Sequence, residues 1–128
     1  MKTVFFGTLL LSLFFGVGLG SVMAGDGDYR HVVLFQFKED ATPAAIAGIE
    51  QAFVALEDKI DTIEDLEWGT NVSPEGLNEG FTHCFLVTFE DRAGLDVYIP
   101  HPAHKEFVAM LKPHLEKVLV VDYVAQDD

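Results

Sequence analysis

The pattern of apolar and polar residues switches repeatedly between strand-like and helix-like after His31. Residues 32–37 are almost all apolar and rich in β-branched and aromatic side chains, which predicts a strand covered on both faces. Thr42 and Pro43 then offer an N-cap and a proline suited to the first helical position. The apolar residues that follow recur every three or four positions and predict an amphipathic helix, with acidic residues on its other side: Ile46, Ile49, Phe53, Leu56 and Ile60 against Glu50, Glu57 and Asp61.

Alternation of side chains predicts three more strands, over residues 66–72, 81–89 and 118–124. The first of these leads into a turn at residues 73–76, where Ser, Pro and Gly are concentrated. The middle strand divides its side chains between two faces, with Phe81, His83, Phe85, Val87 and Phe89 on one and Thr82, Cys84, Leu86 and Thr88 on the other.

A broken helix is predicted between the last two strands. A helical period begins at Asp91 and is interrupted by prolines at positions 100 and 102. It resumes through Phe107, Leu111 and Leu115, and Pro113 is expected to kink or restart its end.

The resulting order, β-α-β-β-α-β, predicts an α+β domain of the ferredoxin-like type with both helices on one face of a single sheet. The strands carry apolar residues on both sides, so the second face of the sheet also needs cover. A second copy of the chain can supply it, because two sheets packed face to face bury both apolar surfaces. We therefore expect a homodimer with a barrel-like core between the sheets.

Composition excludes several classes of function. The chain has 128 residues, which suits one domain, and its 21 acidic residues outnumber its 8 Lys and Arg, for a net charge of −13. Such a charge argues against binding nucleic acid or an anionic membrane. The single cysteine, Cys84, rules out an internal disulfide and is expected to be a buried, inert thiol.

The start of the chain has the features of a secretory signal peptide. Lys2 precedes an apolar stretch over residues 4–19, and small residues lead to Val22 and Ala24 at the −3 and −1 positions. We expect cleavage after Ala24 and a secreted or periplasmic protein. The alternative is an uncleaved anchor, although the stretch is shorter than the ~20 residues that span a bilayer.

The predicted organisation therefore has four parts. The signal peptide of residues 1–24 is followed by a linker at 25–30, the folded domain at 31–124 and an acidic tail at 125–128. After signal removal, no part of the chain is expected to associate with a membrane.

Several side chains with acid–base chemistry are expected to meet at one end of the sheet. If the first strand pairs parallel with the third and antiparallel with the fourth, His31, His83 and Asp122 lie close together. Tyr98 and His104 lie where the broken helix restarts, and spacing alone leaves open whether they join the same pocket.

A metal site at His101 and His104 is the other chemical hypothesis. Their spacing of three suits ligands on one helical face. However, Pro102 disfavours helical backbone at His101, and no acidic residue or cysteine stands beside the pair. We therefore predict no metal.

Several short motifs, in this order along the chain, resemble the stress-responsive A/B barrel (Dabb) family: His31-Val32-Val33-Leu34, Trp68-Gly69, Gly80-Phe81-Thr82-His83, Tyr98-Ile99-Pro100-His101-Pro102-Ala103-His104 and Asp122-Tyr123. The resemblance runs from about His31 to Val124. It implies a dimeric α+β barrel of the ferredoxin-like type, in agreement with the predicted topology, and it specifies fold more closely than activity.

Within that family the sequence is similar to a plant polyketide cyclase that performs an aldol reaction without a metal or an organic cofactor. The resemblance implies catalytic roles for Tyr98 and His104, and pocket positions for His31, His83 and Asp122. Such chemistry needs a base that works near neutral pH to remove a proton beside a carbonyl, as imidazole can. A phenol can hydrogen-bond the oxyanion that develops.

Two functions remain open from the sequence. The first, which the sequence favours, is an exported homodimer that binds a small apolar or polyketide-like ligand without turnover, with the polar residues serving the fold. In that case Asp122 pairs with His31, Tyr98 is a core aromatic, and His104 anchors its helix or hydrogen-bonds across the dimer. The alternative is a cofactor-free cyclase or lyase that uses His104 and Tyr98. The cavity between sheet and helix distinguishes them, because a cavity filled by aromatic side chains would leave no room for a substrate.

Overall fold

The computed structural model describes residues 27–127. The predicted signal peptide, residues 1–24, lies outside the described residues. The described elements are β1 (Tyr29–Phe37), α1 (Pro43–Lys59), β2 (Ile63–Thr70), β3 (His83–Phe89), α2 (Arg92–Tyr98), α3 (Pro102–Leu111), a 3-10 turn (Lys112–His114) and β4 (Leu115–Val124). The predicted β-α-β-β-α-β order is confirmed, with the second helix divided in two at its prolines. Within residues 27–127 no helix is both long enough and apolar enough to cross a membrane.

Local chemistry explains where the helices start and stop. The Thr42 side chain accepts a hydrogen bond from the Ala45 amide at 3.1 Å, which caps the start of α1 as predicted. Asp91 and His101 cap α2 and α3 in the same way. The prediction that Leu115 continues the last helix is wrong: Pro113 ends it in a 3-10 turn, and Leu115 begins β4.

The four strands form one antiparallel sheet in the order β2-β3-β1-β4. The expectation of a parallel β1–β3 pair is wrong, because β3 returns from β2 in the opposite direction and then inserts between β2 and β1. His31 is consequently opposite Val87 on β3 and Asp122 on β4, whereas His83 is opposite Phe35.

The helices cover one face of this sheet and form the core with it. Phe53 of α1 stacks on Phe85 of β3 with ring centroids 4.1 Å apart and planes 6° from parallel. Phe107 of α3 and Phe35 of β1 complete an aromatic cluster around that pair. These rings fix the distance between the helices and the sheet, and so shape the cavity described below.

The other face of the sheet is apolar and uncovered in the single chain. Leu119, Val121 and Tyr123 of β4 are each nearly half exposed. Cys84 also lies on this face and is exposed, so the prediction of a buried thiol is wrong for the single chain. The error has a simple cause: alternation put Cys84 opposite the helix-facing residues of β3, where only a second layer could bury it.

Candidate functional site

A cavity of about 300 Å³ lies between α3 and the sheet. Its walls come from α3, from β1 and from β4, and most of the side chains that line it are apolar. The exceptions are His31, Tyr98, His104 and Lys112. Its size falls at the lower end of the range for small-molecule sites, so the aromatic core does not fill the space that a substrate would need.

His104 is held as a neutral base at one end of this cavity. It lies in the first turn of α3, and its Nδ1 is 2.9 Å from the Ile99 carbonyl oxygen. A carbonyl can only accept a hydrogen bond, so Nδ1 carries the proton and Nε2 keeps its lone pair. Burial lowers the pKa of His104, and the nearby His31 and His101 act in the same direction, although the bond to Ile99 opposes them. The imidazole is therefore neutral at pH 7.

Tyr98 lies between the two cavity histidines. Its ring centroid is 4.4 Å from that of His104 and 5.7 Å from that of His31, and its side chain is 1% exposed. Burial raises the pKa of Tyr98 far above its ordinary value, so the hydroxyl keeps its proton and can donate. Among residues 27–127 the hydroxyl has no hydrogen-bond partner. A buried phenol without a protein partner is available to a bound ligand.

His31 is fixed by Asp122, the pairing expected from the sequence. Its Nδ1 lies 2.7 Å from Asp122 Oδ1, and the Tyr29 hydroxyl donates to the other carboxylate oxygen at 3.0 Å. The two donors hold the carboxylate on the edge strand β4 at the place where it faces β1. This arrangement orients the His31 ring against Tyr98 and the cavity.

His83 does not belong to this cluster, contrary to the prediction. It is opposite Phe35 on β1, four residues from the level of His31, or about 13 Å along the strand. Its Nε2 is 2.7 Å from Glu50 Oε2 and its Nδ1 is 2.8 Å from Thr82 Oγ1. Both ring nitrogens therefore have partners within the protein, and His83 links α1 to the sheet.

The helical pattern also predicted the wrong environment for Glu50, the residue that hydrogen-bonds to His83. Glu50 was expected on the solvent side of α1, but it is half-buried and reaches the sheet. It borders the apolar stripe, directly after Ile49 and three residues before Phe53, and a side chain at that border can turn inward.

We expect Glu50→Ala to reduce the free energy of unfolding by about 1–3 kcal/mol, because it leaves the buried Nε2–H of His83 without an acceptor. Chemical denaturation measures the loss. Asp58→Ala on the same helix is the control, since that side chain is exposed. Equal stability of the two variants would contradict a structural role for His83.

His101 acts as a helix cap. Its Nδ1 accepts from the Ala103 amide at 3.0 Å, and the Nδ1 of His104 is already committed to Ile99. In the described part of the chain, no group of three or more His, Cys, Asp or Glu side chains is arranged to hold a metal ion.

Three contributors to the site have no signal in the sequence pattern. They are the Ile99 carbonyl that sets the tautomer of His104, the Tyr29 hydroxyl on Asp122, and Lys112 at the cavity wall. A backbone acceptor is invisible in a sequence, and the other two depend on how the last helix lies across the strands.

Comparison with known proteins places the whole described domain in one family. Residues 29–125 match the family model of the stress responsive A/B barrel domain. The stress-response A/B barrel domain-containing protein HS1 of Arabidopsis thaliana is 39% identical over 97 residues, covering 76% of this chain and 89% of that protein. Olivetolic acid cyclase of Cannabis sativa is 34% identical over 94 residues, covering 73% of this chain and 93% of the cyclase.

Solved structures agree with this assignment. Hydroxynitrile lyase from Passiflora edulis superposes with a TM-score of 0.76 at 26% identity, covering 80% of this chain and 97% of the lyase. A ferredoxin-like protein from Jannaschia, described as dimeric, has a TM-score of 0.69 at 26% identity and covers 77% of this chain and 100% of its own. The motifs around Tyr98 and His104, the antiparallel ferredoxin-like sheet and the match over residues 29–125 have one explanation: this chain belongs to the stress-responsive A/B barrel domain family.

Proposed function

We propose that this protein is a cofactor-free acid–base catalyst that makes or breaks a carbon–carbon bond in a small carbonyl compound with an apolar chain. One observation carries the proposal: a neutral imidazole lies beside a buried phenol that has no hydrogen-bond partner among residues 27–127, and both line an apolar cavity of about 300 Å³. A group that served only the fold would have little reason to leave a polar atom free beside an open cavity.

The two side chains divide the work between them. In the bond-forming direction, Nε2 of His104 takes a proton from the carbon beside a carbonyl, and the resulting carbanion attacks a second carbonyl carbon. The Tyr98 hydroxyl donates a hydrogen bond to the oxyanion that develops. The imidazolium then returns its proton to the new alkoxide, so that no oxidant, reductant or metal is consumed.

In the bond-breaking direction, the proton transfers to and from His104 occur in the reverse order. His104 takes a proton from the hydroxyl of the substrate, the carbonyl forms as the carbon–carbon bond breaks, and the leaving carbanion is protonated by the imidazolium. The names of the cyclase and of the lyase that resemble this chain correspond to these two directions, which supports the shared chemistry without selecting between them.

Association and export complete the proposal. The uncovered apolar face of the sheet, with Leu119, Val121 and Tyr123, is suited to a second copy of the chain, and structural relatives described as dimeric support a homodimer.

The leader of residues 1–24 supports secretion. The mass of the protein isolated from an expressing host tests this, because secretion predicts a mature chain that begins at Gly25.

Ligand binding without turnover is the second candidate. The hydrogen bonds that fix His104 and His31 also tie their elements together, so they would be present in a binding protein as well. The cavity would then hold its ligand by apolar contact and by the free phenol.

The test is turnover of two substrate panels, aromatic hydroxynitriles and linear poly-β-ketones, by the purified protein and by Tyr98→Phe. We expect turnover in one panel and a loss of about 10²–10³ in kcat on removing the hydroxyl. Tyr123→Phe, on the opposite face of the sheet, should keep full activity. Ligands that bind without any turnover, or a Tyr98→Phe variant as active as the native protein, would favour the binding protein.

The pH dependence should follow the state of His104. Because burial lowers its pKa, the base form persists below pH 6.5, and kcat/KM should fall only as the pH drops through that lowered value. The pKa of Tyr98 is raised, so the donor should remain intact up to the alkaline limit of the fold. A pH–rate profile whose acid limb has its midpoint above pH 6.5 would contradict His104 as the base.

A further inference from the structure

We infer that the substrate carries an anionic group at the end of its apolar chain, and that Lys112 binds this group while the carbonyl reaches Tyr98 and His104. The inference rests on the proposed function, from which it takes the cavity as the substrate site and the reacting carbonyl at Tyr98 and His104. It adds the substrate class, an oxo acid of medium chain length.

The residues that line the cavity extend along α3. His104, Val108 and Lys112 follow one another at intervals of four residues, so they lie on the same side of the helix and its 3-10 extension. All three line the cavity. His104, at the end of the cavity that holds the acid–base groups, is eight residues before Lys112. At a rise of about 1.5 Å per residue, the two positions are about 12 Å apart.

The strands that form the opposite wall of the cavity arrange their side chains in the same order. His31, Val33 and Phe35 alternate along β1 and all line the cavity. His31 marks the end that contacts Tyr98, and Phe35 faces Val118 of β4 near the level of the 3-10 turn. The cavity therefore has its acid–base groups at one end, apolar walls in the middle and a cation at the other end.

Charge distinguishes the lysine end from the rest of the molecule. The chain has a net charge of −13, yet among residues 27–127 no Asp or Glu lines the cavity, and Lys112 is the one Lys or Arg that does. Among residues 27–127, Lys112 has no ion-pair partner, and its side chain is exposed. An ammonium that stays hydrated until a ligand arrives can bind a carboxylate with little desolvation cost.

The distance between the two ends defines the ligand. The separation of about 12 Å between the two ends, less about 3 Å for the polar contact at each end, leaves about 6 Å for the apolar spacer between the carboxylate and the carbonyl. An acid whose carbonyl stands next to the carboxylate could satisfy only one end. The cavity is therefore suited to an oxo acid of about eight carbons with the carbonyl far from the carboxylate.

Displacement of a hydrophobic fluorescent dye tests the inference without requiring turnover. The probes are octanoate and the uncharged octan-1-ol, and the variants are Lys112→Met and Lys105→Met. Lys105 is on α3, exposed and outside the cavity, so Lys105→Met makes the same change of charge away from the cavity. We expect Lys112→Met to weaken octanoate binding by about three- to fivefold, with octan-1-ol unaffected. Lys105→Met should leave both affinities unchanged.

The outcomes separate this inference from the proposed function. If both probes bind but octanoate responds equally to the two variants, or to neither, the anionic substrate is excluded while the apolar cavity remains a binding site. If neither probe displaces the dye from the native protein, the cavity is not an apolar ligand site, and both proposals fail. An ion pair would be supported if Lys112→Arg keeps the native affinity for octanoate and if high ionic strength weakens the binding of octanoate to the native protein.

Discussion

Replacing His104 by Ala should lower kcat by about 10²–10⁴-fold on any substrate that the native protein turns over. The expectation follows from the hydrogen bond between Nδ1 and the Ile99 carbonyl, which leaves a free lone pair on Nε2 of a ring that lines the cavity. The loss should be in kcat more than in KM, because proton transfer in the transition state is removed while the apolar walls remain. Steady-state kinetics on the native and variant proteins measure it.

His114→Ala is the matched control for that variant. His114 lies on the 3-10 turn, does not line the cavity and leaves Tyr98 untouched. It should retain native kcat. Equal losses in the two variants would mean that the effect comes through folding, and no loss in His104→Ala would exclude His104 as the base.

Replacing Phe53 by Ala should reduce the free energy of unfolding by about 3–5 kcal/mol. The ring is 2% exposed, stacks on Phe85 and contacts Phe107, so its removal leaves a void between α1 and the other layers. Since domains of this size are stable by only about 5–15 kcal/mol, the variant should unfold at a much lower denaturant concentration.

The same variant also enlarges the cavity, because Phe53 is part of its wall. Val54→Ala, one residue further along α1 and partly exposed, is the control and should cost less than 1 kcal/mol. A loss below 1 kcal/mol for Phe53→Ala would contradict the aromatic cluster as the support that shapes the site.

Element type could be predicted from the sequence because each element has a strong local pattern. The apolar stripe of α1, its Thr42 cap and the alternation in β3 all depend on contacts between near neighbours in the chain. Strand sense depends on topology instead. The error in pairing β1 with β3 left the face assignments from His83 to Phe89 intact, but it put His83 at the wrong end of the sheet. Phe81, predicted as the first residue of that strand, precedes it instead.

The site was only partly accessible to sequence reasoning. Tyr98 and His104 came from the family resemblance, and the pairing of His31 with Asp122 came from the β1–β4 register. The sequence could not predict that the Tyr98 hydroxyl has no hydrogen-bond partner among the described residues, because this depends on the cavity. The tautomer of His104 could not be predicted either, because it depends on a backbone carbonyl. These are properties of three-dimensional packing that single-sequence patterns do not encode.

Exchange of protons beside a carbonyl is the most direct measurement of the proposed chemistry. Octan-2-one incubated with the protein in heavy water and followed by NMR reports whether a base in the cavity removes those protons, with no need for the natural substrate. We expect the native protein to accelerate deuterium incorporation, Tyr98→Phe to do so weakly, and His104→Ala not at all. A ketone that displaces the dye from the cavity but exchanges no faster than in buffer would contradict acid–base catalysis by this protein.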